Sequence, residues 1–235
     1  MRAQTGLKPM PCRLLLLDLD GTLVDSAPDL HAAACRMRQQ RGLADLPYAV
    51  FRPLVSRGGT AMLQQSFPDA DGEQIAALLP EFLGDYGARV AERSRVFAGM
   101  PEVLQAVEAA GGRWGVVTNK PEALARSLMG ELGLGSRCAV LIGGDTLAVR
   151  KPSPEPLWEA CRRLGESVAA AIYVGDDPRD IQAARAAGMR SVAAAWGYID
   201  ADTNPACWGA DHIAVSPLDL LSPSLLGLAC THGRF

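Results

Sequence analysis

Four consecutive leucines, Leu14 to Leu17, run directly into the acids Asp18 and Asp20 in the stretch LLLLDLDGTLVDS. A continuous apolar run of this kind is typical of a strand that is buried on both faces of a parallel sheet. A carboxylate at the end of such a strand is costly unless it is paired, bound to a metal or used in chemistry. The stretch therefore predicts an α/β core whose first strand ends in a functional site.

Composition limits the classes of protein that this chain can belong to. Its 235 residues are 49% hydrophobic and 21% charged, which suits one large α/β domain or a core with a smaller insert. The net charge of −3 provides no basic field, so we expect neither nucleic acid nor a membrane surface as a partner. Six cysteines lie far apart without a CxxC pair, which favours reduced thiols in a cytoplasmic protein.

The pattern of apolar residues divides the chain into two parts. From residue 96 onwards, apolar runs such as GVVTN, AIYVGDD and SVAAAW alternate with helical segments, which indicates a doubly wound, Rossmann-like parallel sheet. The intervening part is helical throughout, with Ser26 expected to cap its first helix and Pro80 expected to disturb its longest one. We therefore predict a core domain of residues 1–26 and 96–235 and a helical cap domain of residues 27–95.

Polar residues follow the predicted strands at the points where those strands end. In open parallel sheets the ligand site lies beyond the carboxyl ends of the strands, so residues far apart in sequence should meet there. Lys151, in the stretch RKPSPEP before a helix, is expected to join them. The strand-end residues are Asp18, Asp20, Thr118, Asn119, Asp176, Asp177 and Asp180.

These residue types together point to phosphoryl chemistry. Several carboxylates cannot share one pocket as anions without a cation, and an all-oxygen site suits Mg²⁺, which also contacts phosphate oxygens. Thr118 and Lys151 are then candidate donors to the remaining phosphate oxygens. Asp18 is a candidate nucleophile that forms an aspartyl-phosphate. Asp20, two residues further on, is a candidate general acid and then general base for water.

Four stretches, DLDGTLVDS, VVTNK, RKPSPEP and VGDDPRD, resemble in order the four motifs of the haloacid dehalogenase superfamily of phosphatases. The resemblance covers nearly the whole chain, because a helical cap inserted after the first motif is one of the family's arrangements. It implies a Mg²⁺ site formed by Asp18, Asp176 and the backbone carbonyl of Asp20. The residues that it assigns to phosphate binding are Thr118, Asn119 and Lys151.

The resemblance also implies supporting roles for residues near the motifs. Gly21 and Asp180 are expected to support the site, whereas Asp177 stands where many relatives have Ser or Thr, so its role stays open. In the cap, the stretch VSRGGTAM holds a candidate loop for substrate specificity. Its arginine and glycines could contact a substrate carboxylate closely, or they could be a surface cation and a helix break. These three residues are Arg57, Gly58 and Gly59.

The function implied is Mg²⁺-dependent hydrolysis of a small phosphorylated metabolite such as 2-phosphoglycolate. The stretches DSAPDL and VGDDPRDIQAARAAGM resemble phosphoglycolate phosphatases, and WGYIDADTNPACWGAD resembles phosphatases of N-acetylmuramic acid 6-phosphate. The alternatives are a phosphotransferase of the β-phosphoglucomutase type, a receiver-like phospho-aspartate module and a dehalogenase, although halide displacement needs neither Asp20 nor a metal. The sequence leaves open whether the protein is a monomer or a homodimer.

Overall fold

The computed structural model describes residues 13–200 and 202–226. Within these ranges six strands form one parallel sheet. Both faces are covered by helices, so the predicted Rossmann-like class is confirmed. From edge to edge the strands are β5 (Leu141–Ile142), β4 (Arg113–Val117), β1 (Leu14–Leu17), β6 (Ala171–Gly175), β7 (Arg190–Ala194) and β8 (His212–Ala214).

The central strand β1 determines where the functional residues appear. Leu17 pairs with Val116 of β4 on one side and with Val174 of β6 on the other. The sheet grows from β4 to β5 on one side and from β6 to β8 on the other, so the strand order reverses beside β1. Because the strands are parallel and in this register, the residues that follow β1, β4 and β6 lie together at the carboxyl ends of the strands, as expected for a switch point. This end of the sheet is called the sheet edge below.

The leucines of β1 contribute alternately to two hydrophobic clusters. Leu15 and Leu17 are fully buried on the face covered by α5 (Met100–Ala109) and α6 (Glu122–Glu131). Leu14 and Leu16 are fully buried on the face covered by α7 (Glu155–Leu164) and α8 (Pro178–Ala187). Burial on both faces explains why the strand has no polar residue until Asp18.

A helical segment, defined here as residues 27–87, is inserted between two short strands. These strands, β2 (Val24–Asp25) and β3 (Arg95–Val96), pair in an antiparallel manner where the chain leaves and re-enters the core. The sequence prediction missed both of these strands, because a two-residue strand leaves no periodic pattern. The segment contains α1 (Ala27–Gln40), α2 (Tyr48–Phe51), a 3₁₀ helix (Arg52–Arg57), α3 (Gly59–Ser66) and α4 (Gly72–Gly87).

The helical segment has a hydrophobic cluster of its own, which includes Leu30, Phe51, Leu63 and Phe82. The expectation that Pro80 disturbs the longest helix is wrong, because α4 runs through it without a break. Buried residues on both sides of the proline, such as Phe82, hold α4 against the other helices and outweigh one missing amide donor. None of the helices in the described ranges combines the length and hydrophobicity that a membrane crossing requires.

The expected cap at Ser26 also differs from the structure. Ser26 does precede α1, but its side chain makes no capping hydrogen bond and its hydroxyl donates to Asp20 instead. The hydroxyl of Tyr198 accepts from the backbone amides of Ser26 and Ala27, at 2.7 and 2.9 Å, and donates to Asp25 at 2.8 Å. A tertiary contact thus replaces the local cap.

Asp29 joins the two chain segments at the base of the helical segment. Its buried carboxylate accepts from the backbone amides of Arg93 and Ser94, at 2.9 and 2.8 Å, and from the Ser94 hydroxyl at 2.6 Å. Removing it leaves buried donors without an acceptor, which is costly.

We expect Asp29→Ala to lower the free energy of unfolding by about 3 kcal/mol. The matched control is Asp69→Ala, which removes an exposed carboxylate from the same segment and should change stability by less than about 0.5 kcal/mol. Urea unfolding of both variants measures the difference. Equal losses in the two variants would contradict the structural role given to Asp29.

Candidate active site

Three buried carboxylates meet at the carboxyl edge of the sheet. Asp18 follows β1, Asp176 follows β6, and Asp180 lies in the first turn of α8. One carboxylate oxygen from each of the three lies within 4.8 Å of the others, and each residue is at most 8% exposed. Oxygen atoms gathered at this spacing could hold a hard divalent cation.

Lys151 supplies a positive charge beside these carboxylates. Its ammonium lies 3.0 Å from Oδ1 of Asp18 and 2.6 Å from Oδ1 of Asp180. It also donates to the hydroxyl of Tyr173 at 2.7 Å and to the carbonyl of Val117 at 3.1 Å. Burial opposes the charged form of the ammonium, but the two carboxylates outweigh it and raise the pKa of Lys151. The lysine therefore remains charged in the interior.

Asn119 holds the backbone of Lys151 in place. Its side-chain Nδ2 donates to the carbonyl of Lys151 at 3.0 Å, and its Oδ1 accepts from the amide of Lys151 at 3.1 Å. Both ends of the Asn119 side chain are therefore used to orient the lysine. The expected contact between Asn119 and phosphate stays a prediction, and the contacts that the structure gives are those with Lys151.

The carboxylate of Asp176 is bound on several sides. Oδ1 accepts from the hydroxyl of Thr22 at 2.9 Å, while Oδ2 accepts from the Ser56 hydroxyl at 2.8 Å and the Tyr198 amide at 2.9 Å. Burial, followed by repulsion from the other two carboxylates of the cluster, raises the pKa of Asp176 to about 8. Ser56 belongs to the helical segment, so this acid connects the segment to the sheet edge.

Asp177 and Asp180 form a capping box at the start of α8. Asp177 accepts from the amide of Arg179 at 2.9 Å, and Asp180 accepts from the amide of Asp177 at 3.0 Å. Asp177 also pairs with the guanidinium of Arg179 at 2.7 Å. The sequence left the role of Asp177 open, and these contacts give it a structural one. Burial is the main cause that raises the pKa of Asp180 to about 7, although Lys151 opposes the shift.

The carboxylate of Asp20 lies apart from the three clustered acids. It accepts from the hydroxyl of Ser26, and both of its oxygens lie 3.2 Å from the ammonium of Lys120. The backbone-carbonyl contact between Asp20 and a metal stays a prediction. Sequence reasoning missed Lys120 as a functional residue, although the quoted motif VVTNK contains it directly after Thr118 and Asn119.

Gly21 is required by the close approach of the chain to the cluster. Its φ of +86° favours glycine, and a Cβ at this position would lie 2.2 Å from Oδ2 of Asp176 and 2.8 Å from Cδ2 of Tyr198. The supporting role expected for Gly21 therefore has a steric counterpart in the structure.

A cavity of about 460 Å³ opens between the sheet edge and the helical segment. Asp18, Asp20 and the buried Thr118 line it on the sheet side. The predicted specificity residues Arg57, Gly58 and Gly59 line the opposite side, where Arg57 also pairs with Asp200. Sequence reasoning did not single out Arg150 and Arg179, which add positive charge to the cavity. Its apolar wall consists of Leu30, Val55, Met62, Leu79, Leu83 and Leu124.

Comparison with known proteins agrees with this geometry. Residues 15–194 match the family model described as haloacid dehalogenase-like hydrolase. The chain is 50% identical over 212 residues to a phosphoglycolate phosphatase of Xanthomonas campestris, and this alignment covers 90% of this chain and 96% of that protein. It is 42% identical over 216 residues to an N-acetylmuramic acid 6-phosphate phosphatase of Pseudomonas aeruginosa, which covers 92% and 96%.

A solved structure gives the same result for the fold. The crystal structure of a "predicted phosphoglycolate phosphatase" from Haemophilus somnus superposes with a TM-score of 0.79 at 27% identity, and covers 89% of this chain and 96% of that one. The family match and these relatives, together with the buried acids, therefore define a hydrolase of phosphoric monoesters. The chain belongs to the haloacid dehalogenase-like hydrolase family and is similar to phosphoglycolate phosphatases, which confirms the predicted family and enzyme class over a receiver-like module.

Gly21→Ala tests the steric packing around Asp176. Gly42→Ala is the matched control, because Gly42 has a φ of +69° but no atom lies within 4 Å of the position that an added Cβ would take. We expect Gly42→Ala to cost about 1–2 kcal/mol of unfolding free energy for its backbone conformation alone. Gly21→Ala should cost at least about 2 kcal/mol more, since it also displaces Asp176 and Tyr198. Similar urea midpoints for the two variants would contradict the tight approach.

Proposed function

We propose that this protein is a Mg²⁺-dependent phosphatase that hydrolyses a small phosphate monoester such as 2-phosphoglycolate through an aspartyl-phosphate on Asp18. The observation that carries the proposal is the position of the Asp18 carboxylate. It lines the cavity, lies 3.0 Å from the Lys151 ammonium and belongs to the cluster with Asp176 and Asp180. The likeness to phosphoglycolate phosphatases supports the choice of substrate.

The acidic cluster fits a bound Mg²⁺. Its donors are oxygens, which Mg²⁺ prefers. Asp18, Asp176 and the backbone carbonyl of Asp20 would hold the ion, and Asp180, which also pairs with Lys151, would support the site beside them. The raised pKa values of Asp176 and Asp180 are the expected sign of anions that need a cation. When bound, Mg²⁺ supplies positive charge that offsets the negative charge of the carboxylates and of the phosphoryl oxygens.

The residues of the chain divide the chemistry between them. Asp18 attacks phosphorus, while Thr118 and Lys151 donate hydrogen bonds to phosphoryl oxygens and so stabilise the charge that develops there. Asp20 gives its proton to the ester oxygen as the phosphorus–oxygen bond breaks. The Asp20 carboxylate then takes a proton from the water that attacks the aspartyl-phosphate, which releases inorganic phosphate and regenerates Asp18.

A cap domain of residues 27–95, which contains the helical segment, is proposed to cover this site. Ser56 and Arg57 bring it into contact with the sheet edge and the cavity. Arg57 would exchange its ion pair with Asp200 for the substrate carboxylate, which both candidate substrates carry. Closure of the cap excludes water while the phosphoryl group is transferred.

N-acetylmuramic acid 6-phosphate is a second candidate substrate, and one observation favours it. The cavity of about 460 Å³, with its apolar wall, is within the range that encloses ligands much larger than a two-carbon acid. The likeness to the phosphatase from Pseudomonas aeruginosa supports the same choice. Both substrates share the phosphoryl group, so the site around Asp18 serves either one.

Asp18→Asn tests the proposed chemistry. The amide is a poor nucleophile, so we expect kcat to fall by at least about 10³-fold on every phosphate ester. Asp69→Asn serves as the control on an exposed position. Release of inorganic phosphate is measured with 2-phosphoglycolate, N-acetylmuramic acid 6-phosphate and sugar phosphates, each with Mg²⁺.

The same measurements distinguish the alternatives. A higher kcat/KM for N-acetylmuramic acid 6-phosphate than for 2-phosphoglycolate would select the second candidate. Transfer of the phosphoryl group to a sugar in place of release would indicate a phosphotransferase of the β-phosphoglucomutase type. Full activity in Asp18→Asn would contradict the proposal in either form.

Thermal unfolding tests the metal site without reference to activity. The pKa values of Asp176 and Asp180 are about 8 and about 7 in the folded protein, above the usual value of about 4. Between pH values of about 4 and about 8, the folded protein therefore binds more protons than the unfolded chain. The metal-free protein should therefore lose stability as the pH rises from about 4 to about 8. Mg²⁺ binds the deprotonated carboxylates, so it should raise Tm more at about pH 8 than at about pH 6.

Asp176→Asn is the variant that checks this prediction. It removes one titrating carboxylate, so it should flatten the pH dependence and reduce the shift in Tm that Mg²⁺ produces. A shift in Tm of equal size in the variant and the original protein would contradict the assignment of Asp176 to the metal.

A further inference from the structure

A second buried lysine, Lys120, contacts a different acid of the site from those that Lys151 contacts. Lys120 follows β4 and is 9% exposed, and its ammonium lies 3.2 Å from both oxygens of Asp20. The same ammonium lies 4.3 Å from the ring centroid of Tyr86, which is 1% exposed. Tyr86 belongs to α4, so one charge from the core contacts both an active-site acid and the helical segment.

The two lysines have separate partners in the part of the chain that the structure describes. Lys151 pairs with Asp18 and Asp180, whereas the ion pair of Lys120 is with Asp20. Lys120 therefore acts on the acid that is proposed to transfer protons. The charge that serves the nucleophile comes from Lys151.

The carboxylate of Asp20 is held from two directions. Lys120 approaches from the core, and the hydroxyl of Ser26 donates from the residue that precedes α1. Without the ammonium, the Ser26 hydroxyl would remain as the side-chain donor to this carboxylate among the residues that the structure describes. A proton donor must lie within hydrogen-bond reach of the leaving oxygen, so loss of this orientation should slow the proton transfer.

The aromatic ring makes this orientation depend on the helical segment. An ammonium over the face of a Tyr ring is attracted to it, most strongly when water is excluded. If α4 moved away from the core, Lys120 would lose the ring of Tyr86 and gain water in its place. The ion pair with Asp20 would then weaken, because water screens it.

We propose that Lys120 is a positioning residue that orients the carboxyl group of Asp20 toward the leaving oxygen, and that this orientation depends on the position of the helical segment, because the ring of Tyr86 contacts Lys120. The inference rests on the proposed function, in which Asp20 is the general acid. Lys120 itself transfers no proton. Its ammonium donates hydrogen bonds to the Asp20 carboxylate and fixes its direction.

The test compares two kinds of leaving group. An alkyl phosphate such as 2-phosphoglycolate or N-acetylmuramic acid 6-phosphate needs a proton on its leaving oxygen, whereas p-nitrophenyl phosphate releases a stabilised anion and needs little help. The quantity compared is kcat/KM, because it reports the steps up to release of the alcohol and excludes the later hydrolysis of the aspartyl-phosphate, which both substrates share. We expect Lys120→Met to lower kcat/KM by about 10²-fold on the faster alkyl substrate. On p-nitrophenyl phosphate it should lower kcat/KM by less than about 10-fold. Lys120→Arg should recover part of the difference, because it keeps the charge.

Variants of Tyr86 test the second half of the proposal. Tyr86→Leu removes the ring and should lower the ratio of the alkyl to the aryl rate in the same direction as Lys120→Met. Tyr86→Phe keeps the ring and should lower this ratio less than Tyr86→Leu does. Arg126→Met, which removes an exposed cation from α6, is the control and should leave both rates unchanged.

Three outcomes separate this proposal from the proposed function. Equal losses on both kinds of substrate in Lys120→Met would overturn the positioning role, provided that Mg²⁺ still raises Tm of the variant. If Lys120→Met does not fold, Lys120→Gln gives the same comparison. A ratio that is lowered by Lys120→Met but not by Asp20→Asn would overturn the assignment of Asp20 as the general acid, and with it this proposal. Equal ratios in Tyr86→Leu and Tyr86→Phe would overturn the coupling to the segment.

Discussion

The buried ion pairs of Lys151 with Asp18 and Asp180 are the contacts on which the site depends. Without this ammonium, three carboxylates within 4.8 Å of one another would repel strongly in an interior that excludes water. Asn119 fixes the lysine backbone, and the Tyr173 hydroxyl and the Val117 carbonyl also lie within hydrogen-bond distance of its ammonium. The sheet therefore ends in a cluster that still carries excess negative charge and suits a divalent cation.

The sheet and its acids could be predicted from sequence because each leaves a local signal. Continuous apolar runs define the strands, and Asp18 and Asp176 follow those strands directly. Lys120 also follows a predicted strand, in the motif VVTNK, but the sequence does not indicate its role, since that role comes from a contact with Tyr86 across the two parts of the chain. The expected helix cap at Ser26 was wrong for the same reason, because the tertiary structure brings its hydroxyl to Asp20.

The helical segment and the sheet edge share one site through a small number of contacts. The Ser56 hydroxyl reaches Asp176, and the guanidinium of Arg179 donates to the carbonyl of Ser56. Tyr198 contributes its amide to Asp176 and its hydroxyl to the start of α1, so one residue contacts both the acidic cluster and the point where the segment begins. This arrangement links the position of the segment to the geometry of the acids, and it explains why Gly21 must leave room for both Asp176 and Tyr198.

The central claim is that the carboxylate of Asp18 receives the phosphoryl group from the substrate. The most direct measurement is acid quenching of the enzyme during turnover of a phosphate ester, followed by reduction with borohydride and peptide mapping by mass spectrometry. The account predicts that the peptide containing Asp18 carries the reduced residue and that this signal requires substrate. Modification of a different residue, or an unmodified Asp18 under conditions of rapid turnover, would contradict it.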